Sequence, residues 1–192
     1  MGRKDSRAIR NITRLCIIND MDENDLYNKG LKILSLYREM GWNSVICNTK
    51  NVETDLLKRE DEIRQALDYL QHLPEEEEDY TVEKSLRPLF DSGIVQEMMR
   101  YAMSKVQEYP HDGELYYRYI RYCFLDGTKH TADEIMELLG ISRGTYYDKR
   151  KEGIILFGVT LWGFAIPYLT EHLEESLKEF KLLVEAMGTE QQ

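Results

Sequence analysis

The sequence has few cysteines and no cysteine pair. Its three cysteines, Cys16, Cys47 and Cys123, stand far apart, and none belongs to a Cys-x-x-Cys or Cys-x-x-His pair that could chelate zinc. An odd number of isolated cysteines favours a reducing compartment, so we expect a cytoplasmic protein. An apolar segment with a small-residue cleavage site is also lacking after the first basic residues, and we therefore expect no secretory signal.

The short motifs of common enzyme classes are absent as well. The sequence has no glycine-rich phosphate loop, no Gly-x-Ser-x-Gly elbow and no His-Glu-x-x-His zinc motif. Its histidines are scattered, and the acidic run at 75–79 is typical of a solvated loop rather than of a hard-cation site. We therefore predict a protein that is not an enzyme and that has no catalytic residues, no metal and no cofactor.

Positive charge is in deficit, since 25 Lys and Arg stand against 35 Asp and Glu and the formal net charge is -10. A protein that coats nucleic acid without sequence preference must neutralise many phosphates, so this balance argues against a histone-like protein. It leaves room for a local DNA site, because physiological salt screens charges beyond about 8 to 10 Å. The distribution of charge therefore matters more than its sum.

Strand-like alternation is missing, whereas apolar residues recur at the spacing of helices along most of the chain. We predict an all-α protein with a helical N-terminal domain and a C-terminal helix-turn-helix domain that carries a long C-terminal helix. Asp22 is placed to cap a helix that ends near Gly41, and a second helix is predicted within Val52–Leu73. Ser92 is placed to cap a third helix, which ends before Pro110.

A domain boundary is predicted at Tyr109–Gly113, where Pro, Asp and Gly cluster. Region 1–108 before it is helical and carries no motif that indicates its role, and region 109–192 is the predicted helix-turn-helix domain. Its first helix, Glu114–Leu125, is rich in aromatic residues, which can stack on bases of single strands. An aromatic stripe at helical spacing more often packs a small core, and we favour that interpretation.

The segment Gly153–Thr170 carries no charge. A membrane-spanning helix needs about 20 apolar residues, and this stretch is slightly short and is interrupted by Gly158, Gly163 and Pro167. We therefore expect a buried helix or a subunit interface and no membrane insertion.

The segment "KHTADEIMELLGISRGTYYDKRKEG" has the pattern of a helix-turn-helix. Thr131 can cap its first helix, with Glu134 completing a capping box. Gly140 falls where this helix must end in a left-handed turn, and Ser142 can cap the second helix. The apolar residues of the first helix that we expect to face inward are Ile135, Leu138 and Leu139.

The second helix combines one inward aromatic residue with a basic outer face. Tyr146 occupies the position that packs inward, while Arg143, Tyr147 and Arg150 follow i, i+4, i+7 spacing on the other side. The start of such a helix enters the major groove, where arginine can bond guanine, hydroxyl groups can reach bases or phosphates, and lysines suit phosphates. The predicted DNA-binding residues are Lys129, Thr131, Ser142, Arg143, Thr145, Tyr147, Lys149, Arg150 and Lys151.

The segment "ELYYRYIRYCFLDGTKHTADEIMELLGISRGTYYDKRKEGIILFGVTLWG" resembles the C-terminal region of ArpU-like phage and prophage transcriptional regulators, which is similar to the promoter-reading fourth region of sigma factors. The shared pattern is a tyrosine-rich helix, a short helix, "LGIS..TYY", several basic residues and an apolar helix. The resemblance is confined to the C-terminal part of the chain. Two residues depart from it: Lys149 stands where such units often bury an aliphatic residue, and Gly153 lies near the end of the recognition helix.

The resemblance implies a sequence-specific regulator of transcription that binds double-stranded DNA with helix 142–152 and has RNA polymerase as a further partner. The residues that match the family motif are Ser142, Arg143, Thr145, Tyr147, Lys149 and Arg150. Two other functions suit the same sequence: a DNA-packaging protein of small-terminase type, and a helical protein-interaction module that does not bind DNA.

Apolar residues after the helix-turn-helix follow a heptad spacing, namely Leu173, Leu177, Phe180, Val184 and Met187. The pattern lasts about two heptads, so packing on the N-terminal helices competes with self-association. We predict a homodimer through residues 154–187, since helix-turn-helix proteins commonly read two half-sites. The basic N-terminal arm, which includes Arg3, Lys4, Arg7 and Arg10, is either a groove-following arm or a solvated start.

Overall fold

The structure is a computed structural model, and it describes residues 7–47, 59–74, 76–173 and 175. The protein is all-α, as predicted, and no described residue lies in a strand. The helices are α1 (Arg7–Ile18), α2 (Glu23–Cys47), α3 (Glu60–Gln71), α4 (Asp79–Asp91), α5 (Ile94–Glu108), α6 (Gly113–Ile120), α7 (Ala132–Leu139) and α8 (Arg143–Thr160). A π-helical turn extends α6 over Arg121–Leu125, and another over Leu161–Ala165 leads α8 into an extension that reaches Leu173.

Helix α8 is the central element of the fold. It packs against α1, α2, α5 and α6, and residues 152–162 are buried without exception. Two glycines let α2 approach it closely. A Cβ atom on Gly158 would lie 3.0 Å from the carbonyl oxygen of Leu26, and one on Gly30 would lie 3.2 Å from that of Ile154. Larger residues there would push the two helices apart.

The long apolar helix Arg143–Leu173 could cross a membrane by its length and composition alone. In the fold, however, 67% of its most apolar window is buried against the rest of the protein. Such burial is typical of a core helix, which is one of the two alternatives that the sequence indicated for Gly153–Thr170.

The residues before and after Tyr109–Gly113 share one core. Buried side chains from Ile12 in α1 to Ile166 beyond α8 form a single hydrophobic cluster. The indole Nε1 of Trp162 donates a hydrogen bond of 2.9 Å to the carbonyl oxygen of Leu70 in α3. The predicted boundary is thus a turn between α5 and α6, across which packing is continuous.

Several helix ends differ from prediction. Asp22 caps α2 as predicted, because its Oδ1 accepts 2.9 Å hydrogen bonds from the backbone N–H groups of Asn24 and Asp25. The predicted cap at Ser92 is wrong. Its hydroxyl donates to the carbonyl oxygen of Leu89 and so ends α4, a helix that was not predicted, while Gly93 with φ of 80° begins α5.

Helix α1 occupies part of the predicted N-terminal arm. It buries Ile12 and Cys16 and packs on α8, and burial raises the pKa of the Cys16 thiol to about 11. Arg10 is exposed on this helix. Outside the described residues lie the arm before residue 7, most of the predicted helix start at 52–58, and the heptad residues after Leu173.

Candidate nucleic-acid interface

Helices α6, α7 and α8 form a three-helix unit. Helix α6 packs along α8, and the ring of Tyr119 meets that of Tyr146 edge to face with centroids 5.4 Å apart. Tyr119 and Tyr146 are both buried, and Ile135 of α7 is buried beside them in the core cluster. The tyrosine-rich helix therefore has the core role that we favoured over base stacking, and Tyr146 points inward as predicted.

The predicted capping box at the start of α7 is present. The backbone N–H of Glu134 donates to Thr131 Oγ1 at 3.3 Å, and the carboxylate of Glu134 accepts from the backbone N–H of Thr131 at 2.7 Å. These hydrogen bonds lower the pKa of Glu134 below its ordinary value, because they stabilise the ionised carboxylate. Thr131 remains at the surface, with its hydroxyl engaged in the cap.

The turn between α7 and α8 has the geometry that Gly140 predicted. Gly140 is left-handed, with φ of 65°, its N–H donates to Glu137 O at 3.1 Å, and the N–H of Ile141 donates to Met136 O at 3.0 Å. This pair of hydrogen bonds is a Schellman motif, which satisfies the last carbonyl groups of the helix. The turn therefore fixes where α8 begins and the direction in which it leaves α7.

Ser142 caps α8 by accepting a hydrogen bond of 3.3 Å from the backbone N–H of Thr145, as predicted. The hydroxyl groups of Ser142 and Thr145 lie 2.9 Å apart. Ser142 is exposed and Thr145 is half-buried. Both hydroxyls thus reach the surface at the helix start while they also hold that start in shape.

The exposed face of α8 follows i, i+4, i+8 spacing through Arg143, Tyr147 and Lys151. Tyr147 keeps half of its surface exposed, at 50%. Lys129, at the entry to α7, is exposed too. Within the part of the chain that the structure describes, Arg143, Lys129 and Lys151 form no ion pair. We call these four residues, Lys129, Arg143, Tyr147 and Lys151, the basic face.

The structure removes Lys149 from this face. Its ammonium group contacts Asp112 Oδ2 and Glu152 Oε2, both at 2.7 Å, and lies 5.2 Å from the ring centre of Tyr116. Its side chain is only 12% exposed. Burial would lower the pKa of Lys149, but the hydrogen bonds to the two carboxylates outweigh it and raise that pKa. Lys149 is therefore a structural residue, and we no longer count it among the DNA-binding residues.

Glu152 and Tyr116 complete a buried polar network that sequence reasoning missed. Glu152 is 3% exposed, and Tyr116 donates a 2.9 Å hydrogen bond to its Oε2. Burial and the neighbouring carboxylate raise the pKa of Tyr116, so the hydroxyl keeps its proton and donates. A Cβ at Gly153 would lie 3.4 Å from Tyr116, which is an ordinary van der Waals distance, so this position does not require glycine. The departure from the family pattern at Lys149 is thus explained by this network, whereas the packing does not explain the one at Gly153.

The expectation that Arg150 faces outward beside Arg143 and Tyr147 is wrong. Arg150 is half-buried, and its Nε is enclosed and has no hydrogen-bond partner among the described residues. Burial would lower the pKa of its guanidinium, but the nearby tyrosines, Tyr27 of α2 among them, outweigh burial and raise that pKa. Because Arg150 is half-buried rather than on the exposed side of α8, we no longer count it among the DNA contacts.

Acidic residues limit the reach of the basic face. Asp133, Glu134 and Glu137 are all exposed on α7. Leu138 is also 44% exposed, contrary to the expectation that it faces inward. Because exposed cations and carboxylates are balanced around the turn, general attraction to phosphate is weak there. Any DNA contact would depend on close fit of the first turns of α8.

Among the described residues, no three His, Cys, Asp or Glu side chains converge as metal ligands. Comparison of the chain with protein-family models, with curated proteins and with solved structures finds no match. The geometry of the α6–α8 unit is therefore the main indication of function.

Proposed function

We propose that the protein is a sequence-specific double-stranded DNA-binding transcriptional regulator, and that the basic face of α8 enters the major groove. The observation that carries the proposal is the arrangement of α6–α8. A buried tyrosine pair, a Schellman turn at Gly140 and a serine cap present Arg143 and Tyr147 at the exposed start of a helix. This is the geometry by which helix-turn-helix proteins read base edges.

The residues of the basic face divide between two tasks. Arg143, in the first turn of α8, suits a bidentate contact to O6 and N7 of guanine, and Tyr147 offers its ring and hydroxyl one turn later. Lys129 and Lys151 suit phosphates on the two sides of the groove. The hydroxyl groups of Ser142 and Thr145 lie at the helix start, where each can donate a hydrogen bond to a phosphate oxygen. Thr131 contributes through the cap that positions α7.

The proposed regulatory role comes from the resemblance to ArpU-like and sigma-type units, with RNA polymerase as a further partner. The negative net charge suits a regulator that binds selected sites, because general binding to genomic DNA would be weak. The following experiment separates this regulatory role from the two alternatives, a packaging protein and a protein-interaction module.

The test is selection of bound duplexes from a random library, followed by titration of the selected duplex as the salt concentration is raised. We expect recovery of a defined sequence. Because two cations of the basic face, Lys129 and Lys151, are assigned to phosphates, the logarithm of the binding constant should fall against that of salt with a slope of roughly -2 per protomer. Recovery of no sequence, with no duplex binding even at low salt, would refute the proposal in favour of a protein-interaction module. Sequence-independent binding by a ring-shaped oligomer would favour packaging.

A further inference from the structure

Aromatic rings form a stacked array where α5 meets the extension of α8. Tyr101 of α5 stacks on Tyr168 with ring centroids 4.4 Å apart and on Phe164 at 5.5 Å. The imidazole of His172 continues the array, 3.8 Å from the ring of Tyr168. We call these four residues, Tyr101, Phe164, Tyr168 and His172, the aromatic surface.

The π-helical turn Leu161–Ala165 contains Phe164, the most exposed position within the turn's aromatic residues. Trp162 and Ala165 in the turn are buried, whereas Phe164 between them is 38% exposed. A π-helical turn changes the angle between successive side chains, and such turns are frequent at functional sites. His172 is exposed as well, and Tyr101 and Tyr168 are half-buried. A row of partly exposed aromatic rings in this arrangement is typical of the centre of an interface.

The rim of the aromatic surface carries both signs of charge. Arg100 pairs with Glu97 at 2.5 Å, and Lys105 pairs with Glu108 at 2.7 Å while its ammonium lies 5.2 Å from the ring centre of Phe164. Each cation is already matched by a carboxylate of its own helix. Such a rim offers little to the phosphates of nucleic acid or to an anionic membrane, which need unpaired cations.

Mixed charge around an apolar centre instead suits a copy of the same surface. In a twofold contact every patch meets itself, and because each of these rim cations is neutralised by a carboxylate of its own helix, two copies can meet without the like-charge repulsion that a rim of one sign would cause. The rings themselves would supply the well-packed centre, where aromatic residues dominate binding energy.

We propose that a second copy of this chain docks on the aromatic surface, so that α5 and the extension of α8 form a twofold dimer interface. This revises the dimer expected through residues 154–187, because residues 154–162 are buried within one protomer. The inference comes from the surface itself and holds whether or not the protein binds DNA.

Sedimentation equilibrium of the full chain across a dilution series tests it. The wild type is expected to pass from dimer to monomer on dilution. Phe164→Asp is expected to weaken dimerisation at least about 10-fold, as truncation of an interface anchor does. Tyr80→Asp is the matched control, because Tyr80 is an exposed aromatic residue of α4, away from this surface, and 74% exposed. It should leave the dimerisation constant unchanged.

Hydrogen exchange of the wild type is measured at high and low protein concentration. This measurement needs no substitution, so it tests the proposal even if Phe164→Asp does not fold. Peptides from 97–105 and 163–172 should exchange more slowly at high concentration. A wild type that is monomeric at every concentration, or a dimer whose protection lies elsewhere, overturns the proposal. The proposal is also overturned, in favour of a base-stacking site, if the protein is a monomer that binds a single-stranded oligonucleotide. In that case Phe164→Asp would lose the binding and Tyr80→Asp would keep it.

Discussion

The two halves of α8 belong to one unbroken helix but have opposite environments. Residues 143–151 begin it and carry the exposed side chains of Arg143, Tyr147 and Lys151, whereas residues 152–160 are buried against four other helices. The difference teaches how the exposed start of a helix can be held in place by the core of the rest of the chain. Because the buried half is held by the whole core, the exposed half has little freedom to change its direction.

The network of Lys149, Glu152 and Tyr116 lies where the halves meet. It ties the last exposed turn of α8 to α6 through a 2.9 Å hydrogen bond, and to Asp112 at the start of α6 through the Lys149 ammonium. We therefore expect substitutions in the buried half to change stability, and substitutions in the exposed half to change DNA binding.

The largest expected effect comes from the buried half. Phe157→Ala leaves a cavity at a fully buried site and should lower the free energy of unfolding by about 3 to 5 kcal/mol. Tyr147→Ala removes an aromatic side chain of similar size from the exposed half and should cost about 1 kcal/mol or less. Urea unfolding of both variants measures the contrast, and equal losses would mean that the two halves do not differ in packing.

The boundary network should be nearly as sensitive. Lys149→Met removes the ammonium that faces the buried Glu152 carboxylate, at an expected cost of about 3 kcal/mol. The double variant Lys149→Met with Glu152→Gln should recover much of it, because no carboxylate charge then remains buried. Lys151→Met is the control, and its stability should stay within about 0.5 kcal/mol of the wild type. A loss with Lys151→Met as large as with Lys149→Met would contradict the assignment.

The helix caps should contribute less. Thr131→Ala removes the capping box of α7 and should cost about 1 kcal/mol in chemical denaturation. The same cap depends on pH. Since the folded-state pKa of Glu134 is lowered, its stabilising effect is present above the ordinary pKa of about 4.3 and is lost as the pH falls through the folded value. In Thr131→Ala the free energy of unfolding should therefore fall less at acid pH than it does in the wild type. An unchanged pH dependence would contradict the assignment of the cap.

Local sequence patterns predicted the turn well because they involve neighbouring residues. Thr131, Gly140 and Ser142 each act on backbone groups within five residues, and all three have their predicted roles. The sequence patterns misplaced Lys149 and Arg150 because residues near them in the fold are distant in sequence. Asp112 lies in the turn before α6, and Tyr27 lies on α2. No spacing rule within α8 could reveal those partners.

Helix α4 was missed for a different reason. Pro88 lies inside it, and proline is usually taken to end a helix, but here it stands in the last turn of Asp79–Asp91. Ser92 then looked like the start of a helix when its hydroxyl ends one. The glycines of the apolar segment Gly153–Thr170 argued against a membrane helix. They did not indicate that α2 crosses α8 closely at Gly158.

The most direct test of the central claim is the base specificity of Arg143→Ala. On the selected duplex, Arg143→Ala should lose about 10-fold or more in affinity and should no longer discriminate at one base pair, while its stability is unchanged. Arg87→Ala, which removes an exposed arginine of α4, should bind as the wild type does. If Arg143→Ala retained both its affinity and its base preference, the start of α8 would not be the element that reads DNA.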